Sequence, residues 1–254
     1  MALLEVLKVS KRFGGLAAVS NVSFAVNEGE VLGLIGPNGA GKSTLFNLIS
    51  GVYPVSEGEL RLAGRRINGM RPSSLCALGI ARTFQKIRIF RRLSALKNVA
   101  IGCHCRTRAG LLASILRPAW VGREEEEVRE TAQKLLEFVG LAGRGSDDGR
   151  NLSHGEQRLL EIARALATNP KIILLDEPAA GLSTMDSAVL MTMIGKIRDR
   201  GISVIIIEHD MEVVMGLSDR LVVLNYGEKI FEGLPRGAQR DPQVIAAYLG
   251  TAEA

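Results

Sequence analysis

Residues Gly36-Pro37-Asn38-Gly39-Ala40-Gly41-Lys42-Ser43-Thr44 form the pattern G-x-x-x-x-G-K-[ST], and no other stretch limits the fold of this chain as tightly. Val31–Ile35 before it is apolar and strand-like, and Leu45–Ile49 after it suits a helix. A strand, a glycine-rich loop and a helix start in that order make a phosphate cradle. The glycines let the backbone close round a phosphate chain with its N–H groups inward, and the helix N-terminus adds positive potential. Gly36, Asn38, Gly39, Gly41 and Thr44 are therefore candidate nucleotide contacts. Lys42 is placed to reach the β- and γ-phosphates, and the Ser43 hydroxyl to bind Mg²⁺.

The rest of the chain supplies a sheet for that loop. Val22–Val26 alternates apolar and small residues, Asn27–Glu30 reads as a turn, and Leu60–Leu62 continues strand-like after a turn-like Ser56–Gly58. Residues 86–168 read mostly helical. Val128, Ala132, Leu135, Leu136 and Val139 fall at helical spacing, with Glu124–Glu127 as the solvated first turns of that helix. Beyond 170, the runs Ile172–Leu175, Ser203–Ile207 and Leu221–Leu224 read as strands, with a helix at 185–199 among them. That alternation predicts a parallel sheet with both faces covered. The economical reading is one ATP-binding domain over 1–254, with a helical subdomain inserted at 86–168.

Composition removes other classes. No apolar run approaches the ~20 residues that span a bilayer, and the N-terminus lacks the pattern of a signal peptide. Three cysteines imply no disulfide framework and fit a reducing cytoplasm. Cys103-His104-Cys105 is too crowded to hold one tetrahedral ion and has no second Cys/His pair nearby. A net charge of +5 is too mild to argue for nucleic acid.

Two further segments carry chemistry beside the phosphate loop. Ile172–Leu175 ends in Asp176-Glu177, where the first acid suits Mg²⁺ and the second can polarise an attacking water. Leu152-Ser153-His154-Gly155-Glu156-Gln157 opens an amphipathic helix. Ser153 and Glu156 read as a capping box, and the same helix start suits an anion.

These three segments occur in the order found in ABC transporter ATPase subunits, and the resemblance covers nearly the whole chain. It implies an α/β fold: a P-loop ATPase core with a mixed sheet, an N-terminal antiparallel β subdomain and an inserted helical subdomain. It implies ATP and Mg²⁺ as ligands. Ser153 and Gly155 then contact the nucleotide of an opposing ATPase subunit, identical or paralogous. His154, Glu156 and Ser183 depart from the commonest family pattern, which has Gly, Gln and Asp there. Glu177 is implied as the catalytic base, with His209 holding the γ-phosphate. Gln85 is implied to sense both Mg²⁺ and water and to couple to the membrane subunit; Ser43, Gln85 and Asp176 form the metal set. Phe13 resembles the aromatic that stacks on adenine, although a phenylalanine there equally suits core packing.

Ala81–Gln85 with Arg88–Phe90, Leu160–Leu166, Glu177–Leu182 and the tail Asp241–Gly250 resemble the ATPase subunits of bacterial branched-chain amino acid importers, the longer of the two in particular. Urea-import and lipopolysaccharide-export ATPases are similar. A soluble, non-transport ABC ATPase is a further alternative, but those usually need a coiled-coil insertion or a second ATPase domain. The implied partners are membrane permease subunits and, only indirectly, a periplasmic binding protein, with no nucleic acid. The implied location is peripheral, on the cytoplasmic face of the inner membrane. Within 106–122, Leu111, Leu112, Ile115 and Leu116 form one helical stripe before Pro118 and Trp120, for packing on this chain or docking to a partner.

Overall fold

The computed structural model describes residues 2–105, 119–208 and 211–249. The expectations for His209 and for the stripe at 111–116 lie outside the described residues. The chain opens with a long antiparallel hairpin of β1 (Ala2–Phe13) and β2 (Leu16–Asn27). Inward residues alternate along it, with Val22, Phe24 and Val26 buried in β2. After β3 (Val31–Ile35), β4 (Glu57–Leu62) and β5 (Arg65–Arg66) complete an antiparallel sheet of order β2-β1-β4-β5.

The expected turn at Ser56–Gly58 is corrected here. Glu57 and Gly58 already belong to β4. Gly58 is needed because β1 bulges towards it: a Cβ on Gly58 would lie 2.3 Å from the Lys8 carbonyl oxygen.

The main sheet has order β10-β9-β3-β8-β7-β6. It adds β6 (Ile80–Arg82), β7 (Ile172–Asp176), β8 (Ser203–Ile207), β9 (Arg220–Asn225) and β10 (Glu228–Gly233). All its pairs are parallel except the closing β9–β10 hairpin. β3, β7 and β8 are buried at every residue, which explains their unbroken apolar runs. Side chains of β7 part by period two. Ile172 and Leu174 join the core under the antiparallel sheet and α1 (Lys42–Ile49). Ile173 and Leu175 face the opposite layer.

That opposite layer is helical. α2 (Pro72–Leu78) leads into β6; α3 (Ala95–Gly102), α4 (Ala119–Phe138) and α5 (His154–Leu166) form the helical region between β6 and β7. α6 (Thr184–Asp199) covers the same face of the sheet. α7 (Met211–Leu217), α8 (Pro235–Ala238) and α9 (Pro242–Leu249) close the β9–β10 edge around Ile35, Val214 and Val223. Ala132, Leu136 and Val139 are buried, as their spacing requires. Glu124–Glu127 do not form the first turns of α4, because the helix is already under way at Ala119; the run lies mostly on its exposed face. Among the described residues, no helix is long and apolar enough to cross a membrane.

Parallel strands deliver their carboxyl ends to one edge, where an open α/β sheet places its ligand crevice. Here β3, β6, β7 and β8 lead on to Gly36, Gln85, Glu177 and Glu208. The core that aligns them includes α4. Leu136→Ala should cost about 2–5 kcal/mol of unfolding free energy in urea titration, because Leu136 is fully buried in the core shared with Ile173 and Val204. Leu16→Ala, at a 67% exposed position, should stay within about 0.5 kcal/mol.

Candidate active site

From Ile35 the chain turns through Gly36–Gly41 into α1. Two glycines there are dictated by neighbours. Gly36 has φ 148°, and a Cβ would stand 2.1 Å from the Leu224 carbonyl oxygen; Gly41 has φ 98°, and a Cβ would stand 2.5 Å from the Ala18 carbonyl oxygen. The loop is fastened from outside. The Gly227 amide donates to Ala40 at 3.1 Å, and the Gly227 carbonyl accepts from the Ser20 amide at 2.8 Å. α1 starts with no side-chain cap and no acid in its first turn, so its amides are available to an anion.

Lys42 is buried at that helix start, donating to the carbonyls of Gly36 at 2.5 Å and Pro37 at 2.9 Å. Burial lowers its pKa, while Glu177 and Asp176 pull it upward. A cavity of about 550 Å³ opens over the loop, lined by Asn38–Thr44 with Phe13, Glu177 and Tyr226 on its walls. Phe13 is 43% exposed there and packs edge-on against Tyr53 at 5.3 Å, with the Lys11 ammonium 5.0 Å from its ring. Of its two readings, core packing is the one the structure removes.

The carboxylates arrive on β7. Asp176 Oδ2 is 2.9 Å from Nη2 of Arg82, whose Nη1 also donates to Asn47 on α1 at 2.6 Å and to Ser50, just past its end, at 2.9 Å. Arg82 thus ties β6, β7 and the C-terminal end of α1 together. Glu177 sits at φ 46°, a left-handed conformation that costs a non-glycine residue about 1–3 kcal/mol. Its amide is held by the Ile207 carbonyl at 2.9 Å. Two residues on, the Ala179 amide donates to buried Glu208 at 2.6 Å, which pins the loop. Nε2 of Gln85 donates to Oε2 of Glu177 at 2.7 Å. The hydroxyl of Ser43, the carboxylate of Asp176 and the side-chain carbonyl of Gln85 are all hard oxygen donors, a set that fits Mg²⁺.

Ser153 and Gly155 stand apart from the cavity. Ser153 is exposed and caps α5, accepting from the Glu156 amide at 3.2 Å while its own amide donates to Glu156 at 2.8 Å. The carboxylate of Glu156 also accepts from Arg144 at 3.1 and 3.3 Å. Gly155 is buried against Asp186, whose Oδ1 would lie 2.7 Å from a Cβ there. Ser183 is committed locally. It caps α6 by accepting from the Asp186 amide at 3.1 Å, and its hydroxyl donates to the Asp186 carboxylate at 2.8 Å.

Several residues of the site were not singled out by sequence. Arg82 lies within the strand-like run Ile80–Phe84, a signal that a buried partner is needed, whereas Arg158 follows Glu156-Gln157 and carries no such signal. Glu208 ends a strand like an ordinary surface acid. Tyr226 belongs to a turn, and Tyr248 lies near the tail with its hydroxyl bonded to the Gly36 backbone.

Residues 19–180 match the ABC transporter family, and residues 228–254 match the branched-chain amino acid ATP-binding cassette transporter family. The chain belongs to the ABC transporter family. It is 40% identical over 251 residues to LivG of Salmonella typhimurium, a high-affinity branched-chain amino acid transport ATP-binding protein, with 98% of each chain covered. Its fold superposes on the ADP conformation of an ATP-binding cassette from an ABC transporter, with TM-score 0.86, 37% identity and 98% and 99% coverage. A dimeric post-hydrolysis cassette bound to ADP and Pi matches with TM-score 0.76 at 29% identity, over 92% of this chain and 99% of that one.

In this ABC ATPase the departure at Glu156 has an electrostatic consequence. Hydrogen bonding from Arg144, with help from the Ser153 backbone, lowers the Glu156 pKa. A depressed carboxylate contributes stability above its unfolded pKa and loses it as pH falls through the folded value. The melting-temperature gap between wild type and Glu156→Gln should therefore be largest near neutral pH and shrink as pH falls below the ordinary carboxylate range.

Proposed function

We propose that this chain is the ATP-binding and ATP-hydrolysing subunit of an importer for branched-chain amino acids. The observation that carries the hydrolytic reading is the hydrogen bond from Gln85 to Glu177 at the mouth of the phosphate-loop cavity. The 40% identity to LivG and the tail match over 228–254 support the substrate class. Residues 1–254 then form one ATP-binding domain, with 86–168 as its helical subdomain.

In this reading the amides of Gly39–Thr44 cradle the phosphates, and Lys42 turns from the Gly36 and Pro37 carbonyls towards them. Phe13 presents its ring to the adenine. Ser43, Asp176 and Gln85 would hold Mg²⁺, which would supply charge neutralisation on the phosphate oxygens. Glu177 takes a proton from the attacking water, and the Gln85 amide fixes which way the carboxylate faces. His209 completes the γ-phosphate side. Ser153 and Gly155 serve the nucleotide of a second ATPase subunit, identical or paralogous, which accounts for a signature helix start exposed outside its own cavity.

In this reading the permease couples to the chain through the Gln85 region, and the cleft of about 230 Å³ between α2, α3 and α5, lined in part by Arg82, Ile101 and Arg164, offers a surface for that contact. The chain then works peripherally on the cytoplasmic face of the bacterial inner membrane, and a periplasmic binding protein reaches it only through the permease.

Glu177→Gln should preserve ATP affinity and lower steady-state turnover by about 10²–10⁴-fold; turnover at the wild-type rate would refute the base assignment. The composite site is checked by mixing inactive chains. In a homodimer, Lys42→Ala combined with Ser153→Arg should recover part of the wild-type rate through one intact site, whereas full activity of either variant alone would exclude a shared site.

A further inference from the structure

We infer that Arg158 is a positioning residue for Gln85. The inference rests on the reading of Gln85 and Glu177 given above. Residues 83–93, between β6 and α3, contain no helix or strand; backbone bonds anchor the ends, from the Thr83 amide to Leu174 and from the Arg150 and Gly149 amides to Arg91 and Leu93, and between those ends side chains hold the chain. Three buried polar groups do so. Arg158 on α5 is 1% exposed, and its guanidinium forks onto consecutive carbonyls: Nη1 donates to Phe84 at 2.9 Å and Nη2 to Gln85 at 3.0 Å. Nη1 also donates to Glu161 Oε2 at 2.8 Å. Glu161 uses its other oxygen to accept from the Arg88 amide at 3.2 Å. Asn98 on α3, fully buried, grips the far end, accepting from the Phe90 amide at 2.8 Å and donating to the carbonyls of Phe90, Leu93 and Ser94.

The stretch that carries Gln85 is therefore bolted to the helix that Ser153 caps. If the Gln85 backbone shifts, its amide leaves Glu177. A planar fork suits this task because its two terminal nitrogens sit at a fixed spacing, so Nη1 and Nη2 meet successive carbonyls while Nη1 also serves Glu161; an ammonium is a single point donor on a flexible stem. Stability alone is a poor explanation, since a well-packed apolar pair commonly replaces a buried ion pair without loss. The Nε of Arg158 also finds no partner among the described residues, so the side chain carries an unmet buried donor for the sake of its Nη contacts.

The test uses Arg158→Lys, which keeps a cation beside Glu161 but loses the rigid pair of nitrogens that fixes the spacing of the two carbonyls. Arg158→Met with Glu161→Leu serves as a second variant that removes both members of the buried pair, leaving Arg164, 18% exposed, to lose its 4.0 Å contact with Glu161. Hydrogen exchange on the isolated subunit should quicken at least about tenfold over residues 84–90 in both. The kcat for ATP should fall about ten- to thirtyfold, with KM within about twofold. In a Gln85→Ala background, Arg158→Lys should lower kcat no further, because its effect passes through that side chain.

Unchanged exchange over 84–90, or a full second loss of kcat in the Gln85→Ala background, would overturn the positioning role. So would a drop in melting temperature with kcat per folded molecule unaltered. Wild-type turnover in Gln85→Ala would overturn the catalytic reading of Gln85 and the positioning role with it. That result differs from one in which Gln85 matters and Arg158 does not.

Discussion

The amide of Gln85 reaches 2.7 Å to the carboxylate of Glu177 across a sequence separation of 92 residues, and the proposed hydrolytic site depends on holding that contact. Each partner stands where local structure alone would not keep it. Glu177 occupies a left-handed backbone conformation at the end of a buried strand. Gln85 lies in a stretch with no hydrogen-bond ladder of its own. Strain and irregularity of this kind persist only when the surroundings over-determine them. Here the surroundings are the Ile207 carbonyl and Glu208 on one side, and Arg158, Glu161 and Asn98 on the other.

Charge is distributed to match. The phosphate loop concentrates positive potential from a buried lysine and an uncapped helix start, and the two carboxylates of β7 stand close enough to raise the Lys42 pKa against the effect of burial. Arg82 keeps Asp176 from facing that region as a lone buried acid. Buried pairs such as Arg82–Asp176 and Arg158–Glu161 contribute little net stability when intact, yet losing one partner leaves an uncompensated charge. Their value lies in geometry: each fixes a functional segment against a helix. The signature helix start shows the opposite arrangement. Its capping box is satisfied within the chain while Ser153 faces outward, the arrangement a site shared between two subunits would need.

Much of the fold was legible because the relevant interactions are local or periodic. The G-x-x-x-x-G-K-[ST] stretch carries its own turn chemistry. Val31–Ile35, Ile172–Leu175 and Ser203–Ile207 read as buried strands because both faces of a parallel sheet are covered, which leaves no polar alternation. Ala132, Leu136 and Val139 betrayed a helix by spacing. The misreadings have equally physical causes. Gly58 looks like a turn residue, but its role is to admit a bulge from β1, a contact about fifty residues away in sequence. The Ser183 hydroxyl, at a departure from the commonest family pattern, is used by its own helix start.

By itself, the sequence determined the chemistry on offer: a phosphate loop, a strand ending in two acids, a helix opening on serine and glycine, and an aromatic near the N-terminus. Each depends on residues within one or two turns of one another, and short-range sterics and hydrogen bonding suffice to specify them. Only the tertiary structure decided how these pieces meet. It brought Gln85 onto Glu177, set Arg82 beneath Asp176, placed Phe13 on the cavity wall rather than in the core, and left Ser153 outside that cavity. Those outcomes follow from the parallel sheet, which delivers distant segments to one edge, and from buried arginines whose partners no local pattern names.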